Sequence, residues 1–216
     1  MNKAFIFDMD GVLVDSERIW AVEEFPFISG LFGEEIAIKI GNTMGVSVRE
    51  VYRKAAGYGT SIKEDECIRK FDEIAVSIYA RAKLMGGTNT LVNYLISKDF
   101  KLGLVSASRM NGIEQVLRQL PFRDKFEVVI SINDSNLPSK PAPDGYLEAL
   151  KRLNADVTKS IVLEDSNRGI ESAKAAGCYV IGFCGLLADG YKQDGADAYA
   201  NTMAEVRELV KKHQIT

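Results

Sequence analysis

"AFIFDMDGVLVDSE", residues 4–17, runs from a strand-length apolar stretch straight into two aspartates, Asp8 and Asp10, and then a glycine. Carboxylates rarely follow a buried run directly unless something holds them there. The run at 4–7 has counterparts in "KLGLV" (101–105), "FEVVISI" (126–132), "SIVL" (160–163) and "YVIGF" (179–183). All are of strand length, and most are continuously apolar rather than alternating. That pattern predicts parallel strands covered on both faces.

Helical periodicity separates the runs. It predicts helices over 88–99, 110–120, 144–153 and 167–177, the last stopping at Gly177. Strand alternating with helix predicts a doubly wound α/β sheet. The stretch 16–82 breaks the rhythm. It reads as helices over 16–28, 34–40, 47–56 and 63–83, with Gly41, Gly45, Gly57 and Gly59 at the turns and Gly86 and Gly87 at the return. The expected organisation is a core of residues 1–15 and 83–216 with a helical insert at 16–82. An insert placed after a strand's carboxyl end overhangs the edge where α/β sheets bind ligands.

Bulk properties narrow the class. With 46% hydrophobic and 26% charged residues the chain has an ordinary globular composition, and its net charge of −3 gives no basic footprint for nucleic acid. Cys67, Cys178 and Cys184 show no CxxC spacing, which argues against zinc and for a reducing compartment. No run is long enough to cross a bilayer, and the N-terminal apolar stretch is too short for a signal peptide. A cytoplasmic monomer without membrane or nucleic-acid partners is expected. The one histidine, His213, lies near the C-terminus and is expected to be solvated, so acid–base chemistry falls to carboxylates or lysine.

Parallel strands end on one edge. Asp8 and Asp10 follow the first, Ser106 the second, Lys140 lies in the loop after the third, and Glu164 and Asp165 follow the fourth. Taken singly, each has a structural explanation: a turn, a helix cap, a surface lysine or a solvated strand end. Gathered together, the carboxylates would repel one another, and a divalent cation with oxygen ligands removes the difficulty. Calcium in an EF-hand loop fails, because Val12 and Leu13 stand where that loop needs an acid or amide and a glycine. Mg²⁺ suits the set and favours substrate phosphate as a further ligand. Lys140 and Ser106 would then hold phosphate, one carboxylate would attack phosphorus and another would move a proton.

"DMDGVLVDSE", "VSASRMNG", "SKPAPDGY" and "LEDSNRGIESAKAAG" resemble the four motifs of the haloacid dehalogenase-like hydrolase superfamily, and within it the β-phosphoglucomutase-like branch with a small helical cap. The resemblance implies a Rossmann-like core with the cap closing over the substrate. It implies Asp8 as nucleophile forming an aspartyl-phosphate, and Asp10 as general acid and then base, with its carbonyl on Mg²⁺. Ser106, Ala107 and Lys140 would hold the phosphoryl oxygens. Asp165 would bind the metal, with Glu164 beside it or ligating directly. In the cap, Trp20, Phe25, Phe27 and Tyr79 are expected mainly as core, and Arg49, Arg53 and Lys54 as a solvated face. Trp20 and Arg49 are the candidates for substrate contact. Dehalogenases need neither Mg²⁺ nor an acid at Asp10. The mutases carry a cap histidine and an arginine where Trp20 and Val48 stand here, with Arg49 one position on. The expected function is therefore a Mg²⁺-dependent phosphatase of a sugar or polyol phosphate. A phosphosugar mutase is the alternative, followed by a non-catalytic phosphate- or metal-binding module.

Overall fold

All five apolar runs become strands: β1 (Lys3–Phe7), β2 (Phe100–Ser106), β3 (Phe126–Ser131), β4 (Ile161–Glu164) and β5 (Tyr179–Phe183). The computed structural model describes residues 1–43, 46–187 and 190–213. A sixth strand, β6 (Ala198–Ala200), adds an edge that the sequence pattern does not announce. The sheet is parallel throughout, in the order β3-β2-β1-β4-β5-β6. That is the order of doubly wound sheets, whose ligand crevice lies at the switch between the first and fourth strands.

Four helices follow β1: α1 (Glu17–Phe32), α2 (Glu34–Ile40), α3 (Val48–Gly57) and α4 (Glu64–Arg81). The sheet's own helices are α5 (Thr88–Ser97), α6 (Met110–Leu117), α7 (Asp144–Arg152), α8 (Asn167–Ala175) and α9 (Met203–His213). The last was not foreseen. Gly41 ends α2 and Gly59 turns the chain after α3, both at positive φ, and Gly87 does so before α5. Gly57 instead closes α3 as its last residue. The turn expected at Gly45 lies outside the described residues.

β1 sits at the centre because both of its faces are apolar. Phe5 and Phe7 pack with Leu91, Leu95 and Val206 from α5 and α9, while Ala4 and Ile6 meet Tyr146, Ala149 and Ile170 from α7 and α8. Each fully buried side chain of this size contributes about 1.5–3 kcal/mol, so the strand that delivers Asp8 is held in place from both sides. His213 is not simply solvated. Its ring stacks on Tyr179 with centroids 3.9 Å apart, which pins the end of α9 to β5.

The helices α1–α4 have a core of their own, with Ile28, Phe32, Val51, Cys67 and Phe71 among its members. Phe27 packs edge-on against Phe71, as a core residue should. Phe25 does not: it is 49% exposed. Tyr79 belongs instead to the main cluster beneath the sheet. The chain leaves and re-enters the sheet region side by side. Asp15 N–H bonds the Lys83 carbonyl at 2.8 Å, and Met85 N–H bonds the Leu13 carbonyl at 2.8 Å. The three cysteines are free. Among the described residues, no helix is long and apolar enough to cross a membrane.

Candidate active site

Asp8 is the first residue past β1, and its N–H bonds the Leu163 carbonyl of β4 at 3.0 Å. Parallel pairing of β1 with β4 therefore brings Asp8 alongside Glu164. Lys140 enters from the loop after β3. Its ammonium lies 2.7 Å from Asp8 Oδ1 and 2.5 Å from Glu164 Oε1. Lys140 is 3% exposed and Glu164 fully buried. The Tyr146 hydroxyl donates to Glu164 Oε1 at 2.7 Å, and the Ser166 N–H and hydroxyl donate to Oε2 at 3.2 and 3.1 Å. Both Glu164 oxygens are thus engaged, and they fix Lys140 in place.

One carboxylate oxygen each from Asp8, Glu164 and Asp165 lies within 4.8 Å of the others, so this buried group could hold a metal ion. Oxygen donors alone suit a hard divalent cation. The backbone makes room for the acids. A Cβ on Gly11, at φ +69°, would stand 1.9 Å from Asp165 Oδ2, and one on Gly169 would stand 1.8 Å from Glu164 Oε1. Gly169→Ala should therefore push Glu164 away from Lys140 and cost about 1–3 kcal/mol, read as a lowered urea midpoint. An unchanged midpoint would show that Glu164 is not pinned against α8.

The Asp10 carboxylate turns elsewhere. Ser16 Oγ donates to Asp10 Oδ1 at 2.6 Å and Ser108 Oγ to Asp10 Oδ2 at 2.8 Å. Tyr79 Oη, from α4, lies 2.6 Å from the same Ser108 Oγ. The Asp10 carboxylate stands outside the three-acid cluster, and the metal role expected of Asp10 falls to its carbonyl rather than to this side chain. Ser106 ends β2, 1% exposed. Its Oγ accepts the Ser108 N–H at 3.0 Å, and the Ala107 carbonyl accepts from Asn133 Nδ2 at 2.5 Å.

The electrostatics favour added positive charge. Burial first, then the neighbouring Glu164 and Asp10 carboxylates, lifts Asp8 to about 8 against the pull of Lys140. Asp165 is raised well above the usual range by burial and then by Glu17 and Glu164. Glu17, on the first turn of α1, is pushed to about 8 by burial and then by Asp10 and Asp8. Burial opposes the charge of Lys140, but Asp8 and Glu164 outweigh it and raise its pKa. One ammonium faces several crowded acids, a balance that a bound cation would restore.

Asp8, Asp10, Ser106, Ala107, Lys140 and Asp165 open onto a cavity of about 720 Å³, within the range of small-molecule sites. Its far wall is the helix α1, through Glu17, Trp20, Ala21, Glu24 and Phe25. Trp20, expected mainly as cap core and otherwise as a candidate for substrate contact, lies on the wall of the cavity. Arg49 does not: Val48 lines it, and Arg49 is exposed outside. Glu17 and Glu24 were missed, although their spacing along one helix face is a signal that a sequence contains.

The chain matches the haloacid dehalogenase-like hydrolase family model over residues 5–183. It is 32% identical to hexitol phosphatase B of Escherichia coli K12, over 80% of this chain and 79% of that one. It is 31% identical to the phosphorylated carbohydrates phosphatase of Thermotoga maritima, over 81% and 82%. The crystal structure of β-phosphoglucomutase from Clostridium difficile shares the fold, with TM-score 0.75 at 24% identity and all of both chains covered. Family model, relatives and the six-stranded parallel sheet agree: the chain belongs to the haloacid dehalogenase-like hydrolases.

Proposed function

We propose that this hydrolase is a Mg²⁺-dependent phosphatase that releases phosphate from a small phosphorylated sugar or polyol through an aspartyl-phosphate on Asp8. Residues 1–15 and 83–216 form the catalytic core and 16–82 a cap over it. The observation that carries the reading is Asp8 at the cavity floor, held by Lys140 and flanked by Asp165. The phosphatase names of the bacterial relatives support it.

In the first step an Asp8 oxygen bonds to phosphorus while the bond to the ester oxygen breaks. Asp10 gives its proton to that leaving oxygen. In the second step Asp10 takes a proton from water, whose oxygen attacks phosphorus and displaces the Asp8 carboxylate as inorganic phosphate forms. Lys140, Ser106 and the Ala107 N–H hold the phosphoryl oxygens where charge builds. The hydroxyls of Ser16 and Ser108 orient the Asp10 carboxylate for both proton transfers. Mg²⁺, held by Asp8, Asp165 and the Asp10 carbonyl with Glu164 beside it, supplies positive charge to the phosphoryl group when bound.

Phosphate release from sugar and polyol monophosphates in Mg²⁺, lost with a chelator, is the test. Full activity in metal-free buffer would overturn the metal assignment. β-Glucose 1-phosphate with a trace of its bisphosphate should yield free phosphate rather than glucose 6-phosphate. Val48, not Arg49, faces the cavity where a mutase would need its cation.

Stability should follow pH with a defined sign. Asp8 and Glu17 have folded values of about 8, above their ordinary 3.8 and 4.5. Their contribution is therefore fully present below about pH 4 and is lost as pH rises through about 8. The metal-free protein should melt at lower temperature at pH 8.5 than at pH 5.5. Mg²⁺ should raise the melting temperature more at the higher pH, because it replaces protons on the acids. A Mg²⁺ shift equal at both pH values would contradict this.

A further inference from the structure

Helix α1 presents Glu17, Trp20, Ala21, Glu24 and Phe25 to the cavity, the spacing of a single helical face. At 1.5 Å per residue, Glu24 stands about 10 Å further along that face than Glu17. Glu17 interacts with Asp8 and Asp10, so it marks the phosphoryl end. Glu24 then lies from that end about the length of an extended six-carbon chain together with its phosphate ester and terminal hydroxyl. It is held there by Thr43, which is 4% exposed and whose hydroxyl donates to Glu24 Oε1. A carboxylate has about four acceptor positions, and Thr43 occupies one of them. Burial lifts the Glu24 carboxyl above its ordinary range, although Thr43 opposes the shift.

Of the cations on the cavity wall among the described residues, Lys140 and Arg109 are closely paired, while Arg18 is largely exposed with only a loose contact and stands beside Glu17 rather than at the far end. Lys140 is held by Asp8 and Glu164, Arg109 lies 2.8 Å from Asp72 and 3.1 Å from Asp134, and Arg18 lies 3.7 Å from Asp15. Among the described residues the far end of the cavity therefore offers acceptors to hydroxyl groups and no uncommitted cation to a second phosphate.

We propose that Glu24, braced by Thr43, is the specificity-determining residue: it accepts hydrogen bonds from hydroxyl groups at the far end of the substrate and turns away a second phosphate there. This rests on the phosphatase reading above and narrows it to monophosphates with a hydroxylated tail. A bisphosphate would set a dianion against Glu24 with nothing to neutralise it. A hydroxyl donating to the carboxylate makes a charge-assisted bond, the stronger kind.

The test compares kcat/KM for a hexitol 6-phosphate and a hexose 1,6-bisphosphate, for the wild type and for Glu24→Gln. The wild type should prefer the monophosphate. The nearly isosteric amide should cut that preference by about tenfold to a hundredfold, through a higher KM for the first and a lower one for the second. A ratio unchanged within twofold, or a wild type that prefers the bisphosphate, would overturn the proposal. Calorimetric Kd values for both ligands on Asp8→Asn, with and without Glu24→Gln, repeat the comparison without turnover. If the wild type hydrolysed neither these esters nor an aryl phosphate, the phosphatase reading would fail, and the Kd ratio would still decide the role of Glu24.

Discussion

Asp8→Asn is expected to keep the fold and to lower kcat by about 10⁴-fold or more, as removal of a nucleophile generally does. The substitution is nearly isosteric. The amide oxygen can still accept from Lys140, whose ammonium lies 2.7 Å from Asp8 Oδ1. What disappears is the charge and the oxygen nucleophile. Phosphate release under saturating Mg²⁺ and ester measures the loss, and far-UV circular dichroism checks the fold. Activity above a few per cent of wild type would remove Asp8 from the nucleophile's role. Asp10 stands nearby but is bound by Ser16 and Ser108, so it is poorly placed to substitute.

Lys140→Met is expected to have the largest effect on stability, about 3–5 kcal/mol, because it leaves two buried carboxylates without their cation. Asp8 and Glu164 both hold the ammonium, and neither is more than 7% exposed. Turnover should fall with it, since the phosphoryl oxygens lose their ammonium donor. Urea unfolding of the metal-free protein gives the cost. The deficit should shrink at acidic pH, where the orphaned acids take protons. Adding Glu164→Gln to Lys140→Met should recover part of the loss by removing one uncompensated charge, a coupling that a double-mutant cycle reads directly. A loss below about 1 kcal/mol would show that the buried ion pairs contribute little here.

Much of this site was legible in the sequence because its residues sit at ends of elements that announce themselves. Runs such as "AFIF" and "SIVL" have no alternative to burial on both faces, so the acids after them had to meet on one edge. β6 escaped because Ala198–Ala200 is only three residues long and one of them, Tyr199, is exposed. Glu17 and Glu24 escaped for another reason. An acid on an amphipathic helix looks the same whether it faces water or a cavity, and only the tertiary placement of α1 separates the two. Tyr79 was assigned to the wrong core because its helix belongs to the insert while its ring reaches the sheet. Arg49 looked suitable by charge, but a helix turns about 100° per residue, and it is Val48 that faces inward.

The paired crossings at Leu13–Asp15 and Lys83–Met85 bear on how such an enzyme can diversify. Both ends of the excursion are anchored next to each other, so the framework below is indifferent to how much chain lies between them. Closing a longer excursion is cheap, about 0.6 kcal/mol for each doubling of its length. The neck behaves as a socket. A different helical attachment, carrying a different far wall, can be fitted there by descent or by engineering while Asp8, Lys140 and Asp165 keep their places. Some contacts do cross the joint: Asp72 of α4 meets Arg109, Glu50 of α3 meets Arg168, and whatever replaces α4 must still bring a hydroxyl to Ser108, as Tyr79 does, for Asp10 to be held from both sides.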